Sequence, residues 1–430
     1  MKVAPPEWPT TQWAYEDPGY VNPDAIEIEL RRVGEVCHQC RRCLPLCPSF
    51  PKLFDLIDAT GDEIAGVTME GFDRVNELCY HCKLCYNHCP YTPPHEWDID
   101  FPALMRRQQL ARAKRDGVPL ARKLTTRTDL LGKVGSAVPP LMNFANRNRL
   151  SRVMMEKTVG IHRDWVQPSF YHETVDDWFR KRDGPRAEGT NGNAVLFTTC
   201  SANYNDPITG RSAVLVLEHS DVRVDVAYGR CCGMPFTDTG DLDSARRNAR
   251  RNVDDLLPHV ERGAAVVVPG PSCSLMLKEE YPRLLPDYEG ARRVAGATRD
   301  LMEYLYELAR AKKLSRAFER SLGTVAYHAP CHLRAQNIGF RSRDLLKLCA
   351  DEVVLVDACS GVDGTWGMQA RFHDASMQVA EKMLGRIDDA APDHVATDCP
   401  LSALRIEEGL GRKAMHPVVL MRHAYGIPAA

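Results

Sequence analysis

No run of apolar side chains in this 430-residue chain reaches the roughly 18 residues that a bilayer-spanning helix needs. A dominant charge sign is missing too. The chain has 55 Lys and Arg against 57 Asp and Glu, a net of -2, which removes any global pull toward nucleic acid or an anionic membrane. Residues 1–20 are Pro-rich and acidic, with no basic segment leading into an apolar one. A standard secretory leader is therefore not expected, and a cytoplasmic location is. Nucleotide signatures are absent. Gly361-x-x-Gly364-x-x-Gly367 has the wrong spacing for a dinucleotide loop, and no P-loop occurs. Electrons are thus expected to come from another protein, which would carry any flavin. The remaining composition, 44% hydrophobic and 26% charged, is ordinary for a globular chain. At about 150 residues per domain, two to three domains are expected.

Cysteine is what the chain has in excess. Its sixteen cysteines are too dilute for a small disulfide scaffold, and in a reducing compartment clustered thiols point to metal. Eight form two copies of one pattern, C-x2-C-x2-C-x3-C-P: Cys37, Cys40, Cys43, Cys47-Pro48 and Cys79, Cys82, Cys85, Cys89-Pro90. This is the ligand run of ferredoxins with two [4Fe–4S] clusters, where the fourth cysteine of each run serves the other cluster. Cluster one is then expected on Cys37, Cys40, Cys43 and Cys89, and cluster two on Cys79, Cys82, Cys85 and Cys47. Zinc sites, usually closed by paired C-x2-C units, fit the pattern less well. The insert Ser49–Leu78 reads as short helices.

The other eight cysteines lie beyond residue 199, and seven of them repeat. Cys200, Cys231-Cys232-Gly233 and Cys273 are spaced by 31 and 42; Cys331, Cys359-Ser360-Gly361 and Cys399 by 28 and 40. Such agreement argues an internal duplication. Apolar, β-rich runs at 194–199, 264–268, 324–328 and 394–397 each lead to a cysteine loop, with helices between. The clearest helix is Ser244–Val260, capped by Asp241 or Asp243 and stopped at Gly263. Strands alternating with helices predict α/β layers with parallel pairing and the cysteines at the carboxyl ends of strands. Cys349, after Leu345, Leu346 and Leu348, reads as core.

Together these residues resemble the family of iron–sulfur subunits that includes the iron–sulfur subunit of anaerobic glycerol-3-phosphate dehydrogenase, glycolate-oxidase iron–sulfur subunits and heterodisulfide-reductase-like proteins. The resemblance rests on the two ferredoxin runs, Cys200-x-x-Asn203-Tyr204-Asn205, Cys231-Cys232-Gly233-Met234-Pro235, Ser272-Cys273, Tyr327-His328-Ala329-Pro330-Cys331-His332, the Gly361–Gly367 loop and His416-Pro417. It implies an α+β and α/β multidomain chain: a two-cluster ferredoxin-like helical domain (1–105), a basic helical linker (106–190), and a duplicated α/β cysteine-rich domain (191–318 and 319–430). It also implies a subunit relaying electrons from a flavoprotein dehydrogenase toward quinone or another acceptor; a rubrerythrin-like redox partner is a further option. The alternative is a reductase of a small disulfide, sulfur or peroxide-linked substrate at an open iron. The family's full motif has five thiols per half. Here Met276 replaces the last thiol of the first half, and Ser360 and Ser402 replace two in the second. Cys200, Cys231, Cys232 and Cys273 can still complete a third iron–sulfur cluster or a zinc site, whereas Cys331, Cys359 and Cys399 make a degenerate one. His328, His332, Asp398 and His416 are candidates to fill its gap, against the plainer role of hydrogen-bond partners.

Residues 106–163 carry fourteen Lys or Arg and only Asp116, Asp129 and Glu156 as acids, with apolar residues interspersed. Pro139-Pro140 is expected to split the stretch into two helices. Such a segment can dock on the inner face of the cell membrane or on an acidic partner, or be a solvated face. Nucleic acid is not an expected partner, since no aromatic platform or helix-turn-helix spacing accompanies the charge.

Overall fold

The computed structural model describes residues 6–8, 13–14, 17–61, 63–182 and 186–429. The chain divides into two compact units: Met1–Leu120 with Pro235–Ser244, and Ala121–Met234 with Ala245–Ala430. Among the described residues no helix is long and apolar enough to cross a membrane.

The first unit is helical. Its longest helix, Pro23–Cys40, starts where Asn22 accepts the amides of Asp24 and Ala25, and ends as Arg41 turns left-handed. The insert between the cysteine runs folds as the expected short helices, Ser49–Asp58, Ile64–Gly66 and Met69–Glu77. A further helix, Phe101–Asp116, runs straight through residue 105, where the composition changes. Leu30, Val33, Phe50, Phe54, Ile57 and Phe72 fill the core, and Cys37, Cys43, Cys47, Cys85 and Cys89 pack on its edge.

The second unit contains two parallel four-stranded sheets. The first comprises β1 (Gly192–Phe197), β2 (Val222–Ala227), β3 (Ala265–Val268) and β4 (Thr298–Asp300), in the order β2-β1-β3-β4. The second comprises β5 (Thr324–His328), β6 (Glu352–Val356), β7 (His394–Thr397) and β8 (Ala414–Met415), in the order β6-β5-β7-β8. The matching orders are the structural form of the duplication. Because all strands in a sheet run the same way, the loops after its first three strands open on one edge. Those loops carry Cys200, Cys231-Cys232 and Cys273 in the first sheet, and Cys331, Cys359 and Cys399 in the second. Both halves share one core, to which Leu196, Leu217, Leu305, Tyr327, Leu345 and Met421 contribute. Cys349 belongs to that core.

Helix Leu242–Glu261 is capped by Asp241, whose carboxylate accepts the Ser244 amide at 3.1 Å; Asp243 lies within its first turn. The basic stretch corrects the two-helix expectation. It forms four short helices, Leu120–Thr125, Thr128–Ala137, Pro139–Arg147 and Arg149–Val159. Pro139 starts the third, where its missing N–H costs nothing, and Asn148 caps the fourth. Three of the fourteen bases, Arg106, Arg107 and Arg152, are buried. Arg152 donates to the carbonyls of His162, Arg163 and Trp165, tying its helix to the following loop.

Leu196 is fully buried at the centre of the first sheet. Leu196→Ala is expected to cost about 2–5 kcal/mol in urea unfolding of the second unit, the usual cost of a buried cavity.

Candidate metal centres

The two N-terminal cysteine runs bend alike. The residue after the second cysteine has a left-handed backbone in both, Arg41 at φ 48° and Lys83 at φ 60°, which non-glycine residues seldom adopt. The first run leaves the helix ending at Cys40, and the second enters helix Leu84–His88. Burial pushes the Cys37 thiol well above its ordinary range, and the charges of Cys43, Cys89 and Cys40 add to the effect. Cys43 is pushed up to about 12 by burial, then by Cys89, Cys40 and Cys47. Cys85 is raised by burial, then by Cys82, Cys79, Cys47 and Cys43. Cys89 therefore faces the first run, and Cys47 lies between Cys43 of its own run and Cys85 of the second. Cys37, Cys40, Cys43 and Cys89 line a small cavity closed by Phe50 and Tyr91. The Tyr91 amide donates to the Cys89 sulfur at 3.4 Å. Buried sulfurs that repel one another once ionised form a donor set suited to a multiply charged cation, so these residues fit an iron–sulfur core.

In the second unit the Cys231-Cys232 loop is held by a buried polar network. Asn248 and Asn252 donate to the Cys231 carbonyl at 3.1 and 3.3 Å, and Tyr281 donates to the Cys232 carbonyl at 3.0 Å. Gly233 follows at φ +98°, where a Cβ would be strained. Cys200 and Cys232 both hydrogen-bond Cys231, and Cys232 also bonds Cys273. Those bonds draw the Cys231 thiol below its ordinary range, while Cys200 and Cys232 are held above theirs. Four thiols converge, and they fit a metal centre.

Sequence reasoning missed two residues here, both on helix Thr128–Ala137. Asp129 accepts the Cys231 amide at 2.8 Å and the Tyr228 hydroxyl. Burial raises the Asp129 carboxyl, and Cys231 adds to the rise. Thr128 adjoins Cys200 and Cys231. Within a basic stretch these residues look like solvated surface. What brings them in is Gly132, since a Cβ there would collide with the Tyr204 ring. The hint lay in Asp129 being one of few acids in that stretch.

The second half is thinner. Burial raises the Cys331 thiol, followed by Cys359, Asp363 and Cys399, so Asp363 faces this group. The Gly361 amide donates to the Cys359 sulfur at 3.3 Å. Ser402 and Ser360, standing where the resemblance has thiols, bond each other at 3.0 Å. His328 is no gap-filler. Its Nε2 meets the Ala358 carbonyl at 3.1 Å, which can only accept, so Nδ1 is left to take the Thr397 hydroxyl at 3.0 Å. Asp398 accepts from Tyr327 at 2.7 Å and Ser342 at 2.6 Å. His416 Nδ1 accepts the Val418 amide at 3.1 Å. His332 Nδ1 meets the Ser272 hydroxyl at 2.7 Å, which joins the neighbour of Cys331 to the neighbour of Cys273.

Residues 30–115 match the citrate utilization protein B Fer4-like domain, and residues 194–278 and 325–406 each match the cysteine-rich domain. The chain is an iron–sulfur protein with a duplicated cysteine-rich domain. This iron–sulfur protein is homologous to a subunit of the anaerobic glycerol-3-phosphate dehydrogenase of Escherichia coli, 28% identical over 324 residues that cover 74% of this chain and 80% of that one. Lactate utilization protein A of Bacillus licheniformis is 26% identical over 51% of this chain and 92% of its own. An uncharacterized iron–sulfur protein of Methanocaldococcus jannaschii is 27% identical over 53% of this chain and 43% of its own.

Burial holds His328 down to about 4, so it is neutral in the folded iron–sulfur protein, whereas an unfolded histidine titrates near 6.5. Between those values the unfolded chain binds the extra proton, so stability falls as pH falls. His328→Gln is expected to remove up to about 1.4 kcal/mol per pH unit of that slope. Urea midpoints compared between pH 6.5 and 5 check this; an unchanged slope would contradict the neutral assignment.

Proposed function

We propose that this protein is the electron-transfer subunit of an oxidoreductase complex, accepting electrons from a flavoprotein dehydrogenase and delivering them toward quinone or another acceptor. The observation that carries the reading is the cavity that Cys89 of the second run lines with Cys37, Cys40 and Cys43 of the first, and Cys47 acting on Cys85 as well as on Cys43 supports a second quartet of Cys47 with Cys79, Cys82 and Cys85. These quartets would hold two [4Fe–4S] clusters, and Cys200, Cys231, Cys232 and Cys273 a further cluster or zinc. Bound clusters supply one-electron chemistry with no open iron where all four ligands are thiolates. The chain's own residues set the surroundings. Phe50 and Ile99 line the cavity of the first quartet with apolar surface. Arg42 opposes the charge of Cys43 and Cys89, and Arg32 that of Cys37. The relatives named for glycerol-3-phosphate dehydrogenase and lactate utilization support a dehydrogenase partner.

The basic helices supply a docking face. Lys123, Arg127, Lys133, Arg147, Arg149 and Lys157 are exposed. Leu124, Leu130, Leu131, Val134, Val138, Leu141, Phe144, Leu150 and Met154 are exposed beside them. Both acids within these four helices are engaged, Asp129 by the Cys231 amide and Glu156 by Arg163. Cations of one sign interleaved with large apolar side chains suit the interface of an anionic bilayer. The reductase reading is favoured by one feature: three thiols at Cys331, Cys359 and Cys399, with Ser360 and Ser402 bonded to each other. Turnover of a small disulfide by the purified chain would establish it.

Two outcomes are expected. Anaerobically purified protein holds at least about eight irons per chain with matching acid-labile sulfide, from two four-iron clusters; zinc without sulfide would sink the reading. Arg147→Glu, Arg149→Glu and Lys157→Glu together weaken binding to anionic vesicles at low salt at least about tenfold, since each base near such a surface is worth about 1 kcal/mol. Undiminished binding, or binding only to the dehydrogenase partner, would remove the membrane from the account.

A further inference from the structure

Helix His373–Asp389 begins beside the loop that carries His162. An antiparallel bridge between Ile161 and Gln369 clamps the two segments, with the His162 amide on the Met368 carbonyl and the Ala370 amide on the Gly160 carbonyl, both at 2.8 Å. His162, His373 and Asp374 each offer a donor atom there, all within 4.8 Å of one another.

His373 is 6% exposed. Its Nε2 lies 2.7 Å from Glu408 Oε1, and Arg405 holds the other Glu408 oxygen at 2.7 Å. A carboxylate only accepts, so Nε2 carries the proton and Nδ1 keeps its lone pair. That Nδ1 is buried without a hydrogen-bond partner, 3.7 Å from Asp374 Oδ1. A carboxylate on one imidazole nitrogen and a free lone pair on the other is the arrangement that orients histidine ligands around metals.

We propose that His162, His373 and Asp374, none of them part of a cysteine motif, form a site for one divalent ion of the zinc class. Two imidazoles and a carboxylate suit zinc and its borderline neighbours; calcium and magnesium prefer oxygen alone. Glu408 acts as the positioning residue for His373. Asp374, whose side chain is 98% exposed, leaves the solvent side open for entry and for water to complete the coordination. The His162 and His373 rings stack 3.7 Å apart at 12°. A metal lies near the plane of each imidazole it binds, so His162 turns off the face of His373 when the ion enters.

The test is equilibrium dialysis of the full, cluster-bearing chain against zinc, with iron and zinc counted together. Wild type is expected to retain one zinc per chain at unchanged iron content. Asp374→Asn, an exposed change that leaves the His373–Glu408 pair intact, and His162→Gln should each weaken retention at least about tenfold, the scale of losing even an outer partner of a metal ligand. Asp374→Glu should recover part of it. Equal retention by wild type and both variants overturns the site. So does zinc uptake that rises only as iron is lost, which would place the ion in the cysteine loops.

Discussion

Burial of sulfurs beside one another is the constraint on which this molecule turns. Fifteen of its sixteen cysteines fall in the two N-terminal runs or just beyond strand ends, leaving Cys349 in the core of the second unit. Where shifts are largest, burial and the neighbouring sulfurs both push the thiols up, as at Cys37 and Cys85. Bare, Cys37 and Cys85 stay protonated; with a cationic core, the same crowding becomes a ligand shell. Packing next to the loops follows from that need. Aromatic and aliphatic side chains close the first quartet, while amides of Tyr91 and Gly361 and guanidinium groups of Arg32 and Arg42 supply the opposing partial and full charges.

The two units solve the gathering problem differently. In the helical unit, two short loops bend at Arg41 and Lys83, and Cys89 of the second run lines one cavity with Cys37, Cys40 and Cys43 of the first. In the second unit the topology gathers the sulfurs. Three parallel strands end on one edge, so cysteines 31 to 42 residues apart in sequence meet in space. Duplication repeats the frame, and the Ser272–His332 contact joins the two edges. The halves then diverge in chemistry: the first keeps a four-thiol set braced by Asp129, Asn252 and Tyr281, while the second replaces thiols with hydroxyls that satisfy each other.

Much of this was legible in the sequence because cysteine spacing and β-rich runs are local signals. β5 and β7 lie where their apolar runs end in Cys331 and Cys399, and β1 and β3 lie within a residue or two of theirs. The flanking strands were not read. β2 alternates apolar with charged residues and β6 is a short apolar run, both usable strand signals, whereas β4 and β8 have three and two residues, too few for a period to show. The basic segment was read by composition alone. Composition counts Arg152 and Asp129 as surface charges, whereas packing turns one onto three carbonyls and the other onto the Cys231 amide. Long-range contacts of that kind have no sequence period. The same holds for His162 and His373, which are brought together across some two hundred residues by a single bridge.

Exchange of the fourth cysteine between the two runs is the central claim, and one spectroscopic comparison reaches it most directly. Cys47→Ser protein, purified anaerobically with iron-57, is examined by Mössbauer spectroscopy beside a Cys79→Ser and a Cys37→Ser variant. The account predicts that Cys47→Ser alters the same cluster signal as Cys79→Ser and spares the one altered by Cys37→Ser. If Cys47→Ser instead alters the signal that Cys37→Ser alters, each run closes on its own cluster and the account is wrong.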